Sequence, residues 1–221
     1  MNCNGELAII KNFITDQSVV FDVGVHKGEW TDNVLTMHLD KSLLIYAFEP
    51  NPISYESVAR RFGGEKNIHV YCCAVSDIEG VGGLHAYNTG AGSGDSLFSR
   101  PVMECAYEST VVPVALKTLD MFTREHSIQK IDFIKIDTEG SELNILVGAQ
   151  RLLQTQSIKA IQFEYGGKYP DAGITFKQVY DLLQSYKYRV YRIAPDCLVY
   201  IENWHPELEN SVYSNYLAVP F

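Results

Sequence analysis

The sequence predicts an α/β fold: an open, mostly parallel sheet with helices on both faces and an antiparallel edge at its C-terminal end. Three observations carry this expectation. Five short runs rich in β-branched residues alternate with amphipathic helical stretches up to about residue 165. These runs are apolar throughout rather than alternating, as suits strands covered on both faces. Beyond residue 188, strand-like segments follow one another without clear helices between them, which favours reversal of chain direction.

The strands expected in order are Val19 to Val23, Leu43 to Phe48, Ile68 to Cys73, Ile131 to Ile136 and Ile158 to Phe163. The tail adds Tyr188 to Ile193, Cys197 to Ile201 and Tyr213 to Val219. Between them, Asn51 supplies a cap and Pro52 the first helical position of a helix reaching about Phe62. Ser141 reads as the cap of a helix on which Leu143, Leu146, Val147 and Leu153 recur at helical spacing. Phe176, Val179, Tyr180 and Leu183 stand at i, i+3, i+4 and i+7, placing another amphipathic helix from about Thr175. Residues 80–110 break the rhythm with Gly80, Gly82, Gly83, Gly90, Gly92 and Gly94. They read as a surface loop or, slightly better, as a lid or substrate segment. With no repeat and no linker, one domain over 1–221 is expected.

Composition narrows the class. Hydrophobic residues are 46% and charged residues 20% of the 221 positions, so disorder, collagen and coiled coil are excluded. Lys plus Arg total 18 against 27 Asp plus Glu, a net charge of −9, the wrong sign for a nucleic-acid partner. The five cysteines are odd in number, two are adjacent, and no C-x-x-C pair exists. Free thiols in a reducing cytosol are expected. No leader sequence and no apolar stretch of ~18 residues is evident, so the expected location is cytoplasmic, without a membrane partner.

Open parallel sheets bind ligands beyond the carboxyl ends of their strands, and here those ends carry acids and glycines. They read Asp22-Val23-Gly24-Val25-His26-Lys27-Gly28, Phe48-Glu49-Pro50-Asn51, Ala74-Val75-Ser76-Asp77, Asp137-Thr138-Glu139-Gly140 and Glu164-Tyr165-Gly166-Gly167. The first is a glycine turn between strand and helix, where a ligand can approach the backbone and an anion can meet amide N–H groups. The dinucleotide pattern G-x-G-x-x-G is absent, because His26 and Glu29 occupy the required positions. Glu49 ends the neighbouring strand, where a carboxylate can accept hydrogen bonds from both hydroxyls of a ribose. Asn51 already fills the capping role, so the helix start does not explain the acid.

Taken together, Phe21-Asp22-Val23-Gly24, Phe48-Glu49-Pro50-Asn51-Pro52, Ala74-Val75-Ser76-Asp77 and Lys135-Ile136-Asp137-Thr138-Glu139-Gly140 with Glu142 resemble the FkbM-type branch of S-adenosylmethionine-dependent methyltransferases. The resemblance spans about residues 19–165. It implies a seven-stranded Rossmann-like fold and methyl transfer to a hydroxyl of a small molecule such as a sugar, glycan or polyketide. The Asp137-Thr138-Glu139 ending, rather than Asn/Asp-Pro-Pro-Tyr, favours oxygen over nitrogen as the acceptor. By the same resemblance, Asp22, Gly24, His26 and Gly28 would hold the methionine part, with His26 departing from the family's more usual asparagine. Glu49 would take the ribose, Pro50 with Ala74 and Val75 the adenine, with Asn51 beside them, and Ser76 or Asp77 the adenine amino group.

Asp137, Glu139 and Glu164 are the candidate bases. Asp137 is also a partner for the methionine ammonium, which leaves Glu139 and Glu164 favoured. These acids could hold a divalent metal, but no histidine-plus-carboxylate spacing supports one. Lys135, charged inside an apolar strand, should form a structural ion pair. Glu142 suits the dipole of a first helical turn. The tail tyrosines suit packing, and an exposed edge strand could pair across a homodimer. The competing reading of the same pocket is a non-catalytic nucleoside-binding module.

Overall fold

The computed structural model describes residues 5–87 and 94–221. Cys3 and the glycine-rich stretch containing Gly90 and Gly92 lie outside the described residues. The first half runs α1 (Glu6–Phe13), β1 (Val19–Val23), α2 (Glu29–Met37), β2 (Leu44–Phe48), α3 (Pro52–Arg61), β3 (Ile68–Tyr71), β4 (Ala74–Val75) and β5 (Gly80–Tyr87). Then come α4 (Pro101–Ala106), β6 (Ser109–Lys117), α5 (Leu119–Glu125), β7 (Phe133–Ile136), α6 (Glu142–Val147) and α7 (Gln150–Gln154). The last part is β8 (Ile161–Tyr165), α8 (Phe176–Ser185), β9 (Tyr188–Ile193), β10 (Leu198–Ile201) and β11 (Ser214–Pro220).

The main sheet has the order β10-β9-β11-β8-β7-β1-β2-β3. Strands β3, β2, β1, β7 and β8 pair in parallel. β11 is antiparallel to both β8 and β9, and β10 is antiparallel to β9. The eight segments read from the sequence are these eight strands. The seven-stranded count implied by the resemblance is exceeded by one, because the chain turns back after β9 and adds β10 as an outer edge. The end of β8 also moves, from Phe163 to Tyr165, so Glu164 belongs to the strand and pairs with Asn215 of β11.

Alternation along the strands divides the core between the two faces. Phe21, Val23, Ile134 and Ile136 pack with Phe122 of α5, Ile145 of α6, Leu152 of α7 and Phe176 of α8. Val20, Ile45, Ala47 and Phe133 pack on the opposite face with Ile10 of α1, Trp30 of α2 and Val58 of α3. Two caps act as read. Asn51 accepts from the Ile53 and Ser54 N–H groups at 2.9 and 3.4 Å. At α8, Thr175 and Gln178 form a reciprocal capping box.

Two expectations are corrected. Residues 80–110 are not simply a loop. β5 and β6 pair antiparallel over Gly80–Tyr87 and Ser109–Lys117, and with β4 they make a second, three-stranded sheet. Glycines disguised β5, yet they serve close packing: a Cβ on Gly82 would sit 3.0 Å from the Leu116 methyls, and one on Gly83 2.7 Å from Val111. The helix expected from Ser141 to Leu153 is two helices, α6 and α7, parted at Gly148 and Ala149. There the chain passes so near Ser76 that a Cβ on Gly148 would lie 2.1 Å from its carbonyl oxygen. Asp120 caps α7 from outside, accepting from the Arg151 and Leu152 N–H groups at 2.7 and 3.1 Å. The Ser141 side chain makes no cap bond.

Candidate active site

The carboxyl ends of β1, β2 and β7 open on one cavity, with about 760 Å³ of empty space continuous with solvent. One wall is Gly24 and His26 of the glycine turn with Glu49 and Pro50 beyond β2. A second is Cys73, Ala74 and Val75, a third is residues 94–97, and a fourth is Asp137, Thr138, Glu139 and Ser141.

The glycine turn is shaped by backbone demands. Gly24 has φ 84°, and a Cβ there would lie 2.0 Å from the Asp137 carbonyl oxygen, so only glycine lets β1 and β7 end side by side. His26 is left-handed at φ 49°. Its N–H donates to Glu49 Oε2 at 2.9 Å, while the Asn51 N–H donates to Oε1 at 3.0 Å. Glu49 is thus held from both sides, 6% exposed. Burial pushes its carboxyl up to about 7, against the pull of the two N–H bonds, with Asp95 and Asp22 adding to the rise.

Asp22 lies beneath the turn rather than in the cavity wall. It is fully buried, accepts from Thr31 Oγ1 at 2.7 Å and faces Lys135 Nζ at 3.3 Å. Lys135 also donates to the Gly24 carbonyl at 3.1 Å and approaches Asp137 at 3.6 Å. The structural ion pair expected of Lys135 therefore ties β7 to the turn. Gly28 also lies outside the lining; at φ 81° it caps α2 against the Phe62 ring.

Asp137, Glu139 and Glu164 converge as the strand order demands, and they converge on Lys168. Its ammonium is 2.5 Å from Glu164, 2.8 Å from Glu139 and 3.6 Å from Asp137, beneath the Tyr213 ring at 5.4 Å. Burial opposes this ammonium, but Asp137, Glu139 and Glu164 raise its pKa above the ordinary lysine value. Burial also opposes ionisation of Asp137, yet Lys135 and Lys168 hold its carboxyl below the usual range. Glu164 is pushed upward by burial and by Asp137, with Lys168 opposing. Arg100 adds a second cation, 3.0 Å from Glu139 and 3.4 Å from Asp171. Among the described residues no group of three or more His, Cys, Asp or Glu is arranged to hold a metal ion. The centre that these three acids share holds the lysine nitrogen.

At the apolar end, Ala74 and Val75 line the cavity with Leu84 and Leu97. Ser76 and Asp77 stand outside it, and Asp77 Oδ1 accepts from Ser76 Oγ and Asn144 Nδ2, each at 3.0 Å. Asn51 and Glu164 also fall outside the lining. Sequence reasoning missed Lys168, Arg100 and Asp95. Only Lys168 left a trace, standing four residues after Glu164. Asp95 lines the cavity and accepts from Asn51 Nδ2 at 2.6 Å and from the Tyr87 N–H at 3.0 Å.

A parallel sheet reversed only at its C-terminal end, with a cavity over the tips of its central strands, places the chain in the Rossmann-like fold class. Solved structures agree on the fold. A methyltransferase FkbM from Methylobacillus flagellatus KT matches with a TM-score of 0.55 at 17% identity, over 92% of this chain and 44% of that one. The chain therefore spans less than half the length of that protein. An rRNA methylase from Streptococcus thermophilus matches with a TM-score of 0.52 at 12% identity, over 98% and 94% of the two chains. A precorrin-6y C5,15-methyltransferase from Geobacter metallireducens GS-15 gives 0.53 at 10% identity, over 97% and 87%. No curated protein matches the chain in sequence.

The methyltransferase FkbM domain profile matches residues 22–190, and the chain belongs to the FkbM methyltransferase family. Methyltransferases of this class in general take the methyl group from S-adenosylmethionine. No helix among the described residues is long and apolar enough to cross a membrane.

Proposed function

We propose that the protein is an S-adenosylmethionine-dependent O-methyltransferase acting on a hydroxyl of a small molecule such as a sugar, glycan or polyketide. The observation that carries the reading is Glu49, a buried carboxylate fixed by two backbone N–H groups in the wall of a cavity apolar at one end and acidic at the other. The cavity suits the cofactor: Glu49 would accept from the ribose diol, and Pro50, Ala74 and Val75 would flank the adenine. Gly24 and Asp137 would meet the methionine part, with Asp22 supporting the turn from below.

When bound, the cofactor supplies an electrophilic methyl group on a cationic sulfonium. The chain must then place the acceptor oxygen in line and remove its proton. Alignment can contribute roughly 7–11 kcal/mol. Glu164 is the base we favour: burial raises its proton affinity, Lys168 fixes one of its oxygens, and though outside the cavity lining it shares that lysine with Glu139, which lines it. Glu139 takes part through the same lysine, while it also holds Arg100. The acids leave no cationic surplus for an anionic acceptor, which supports a neutral hydroxylated substrate.

Calorimetry with S-adenosylhomocysteine tests the cofactor site. Wild type should bind, and Glu49→Ala should weaken binding about 10- to 100-fold, the range for losing charge-assisted hydrogen bonds. Unchanged affinity in that variant would remove the ribose assignment. Because the Glu49 carboxyl titrates at about 7, affinity should rise with pH as it ionises. The gain should reach about tenfold between about pH 6 and pH 8, following the ionised fraction. A flat profile would count against Glu49 as the acceptor of the diol. Transfer from labelled S-adenosylmethionine to a panel of hydroxylated metabolites tests the reaction. Binding without transfer would favour a nucleoside-binding module.

A further inference from the structure

Ser141 stands where a helix cap belongs, yet it does not act as one. Its hydroxyl makes no bond to the first turn of α6, and Oγ has no hydrogen-bond partner among the described residues although Ser141 is only 2% exposed. A buried hydroxyl left unpaired costs free energy, so such groups are uncommon and call for an explanation. Ser141 is also part of the cavity wall. The other hydroxyls of that wall are engaged. Ser96 Oγ donates to the Glu139 carbonyl at 2.9 Å and accepts from the Phe98 N–H at 3.1 Å. Thr138 Oγ1 donates to Glu142 at 3.2 Å.

The place of Ser141 identifies what it would meet. Helix α6 runs along the segment after β3, with Asn144 bonded to Asp77 and Gly148 pressed on the Ser76 carbonyl. Ser141, one helical turn before Asn144 at the start of α6, lines the same cavity as Ala74 and Val75. Ser76 and Asp77, the side chains expected at the adenine amino group, lie outside the wall and bond to each other. A flat heteroaromatic base entering this end would find apolar faces and one unengaged hydroxyl, which can both donate and accept.

We propose that Ser141 is a base-recognition residue of this cavity, its hydroxyl hydrogen-bonding the purine of the bound nucleoside. The assignment rests on the cofactor reading above and adds a residue to it. In the apo protein the hydroxyl is a liability, and in the complex it is satisfied.

This makes a two-signed test on the full chain. Ser141→Ala should bind S-adenosylhomocysteine about 5- to 10-fold more weakly than wild type, the loss expected for one hydrogen bond. It should show the same factor with adenosine alone, measured by competition. The ligand-free variant should melt at the same or a higher temperature, because a buried unpaired hydroxyl has been removed. Equal affinities, or a penalty seen with S-adenosylhomocysteine and absent with adenosine, would overturn the assignment. So would weaker binding accompanied by a lower ligand-free melting temperature, which marks a structural role. Wild type that binds no S-adenosylhomocysteine at millimolar concentration would remove the cofactor reading itself, and this assignment with it.

Discussion

Replacing Lys168 with methionine should lower the melting temperature by about 6–12 °C at neutral pH. The substitution keeps most of the aliphatic stem and removes the charge, leaving Asp137, Glu139 and Glu164 facing one another. Stranding buried charges costs about 3–5 kcal/mol. The lower end applies because Glu139 and Glu164 remain 24% and 21% exposed and water can screen them in part. For a chain of this length, about 3 kcal/mol corresponds to the stated shift. The deficit should shrink on acidification. Without the ammonium, the carboxyl groups have folded-state pKa values above their unfolded ones, so the folded variant binds more protons and gains stability as pH falls. Wild type behaves oppositely at Asp137, whose carboxyl is held low and whose contribution is lost as pH falls through its folded value. Melting curves of both proteins at about pH 7.5 and pH 5 measure the gap. Lys168→Arg, which keeps the charge, should recover most of the loss. A gap that is absent at neutral pH, or that widens in acid, would show that the lysine is not the hub of this cluster.

Glu164→Gln should reduce methyl transfer about 10²- to 10⁴-fold, the contribution usual for a general base, while S-adenosylhomocysteine affinity stays within about twofold. The amide keeps the shape and can still accept from Lys168, so cofactor geometry is preserved. What it cannot do is take up the acceptor proton. The same replacement at Glu139 should be milder in rate, because that carboxylate already holds Arg100 as well as Lys168. Single-turnover transfer with enzyme in excess separates this chemical step from cofactor release. A Glu164→Gln variant with full activity would move the base to Glu139 or Asp137.

Much of the fold was legible because helices and strands write their periods locally. The five apolar runs and the three strand-like tail segments are the eight strands of the main sheet, and the Asn51-Pro52 and Thr175-to-Leu183 signals start helices where expected. β5 and β6 were not legible. Their partners lie about thirty residues apart, and β5 is rich in glycine because Leu116 and Val111 fill the space where side chains would stand. The single helix expected after Ser141 failed for a related reason: Gly148 must approach Ser76, so α6 and α7 replace it.

The sequence by itself determined which chemical groups end the strands: the glycine turn after β1, the acid after β2, and the Asp137-Thr138-Glu139 ending of β7. These are properties of single segments, set by strand length and by the residue that follows. Tertiary structure decided how the groups are used. It sank Asp22 onto Lys135 and Thr31, joined the distant His26 N–H to that of Asn51 in holding Glu49, and brought Lys168 and Arg100 among the acids. Residue spacing cannot encode such neighbours, because charge pairing across a sheet depends on strand order and on the path of the loops.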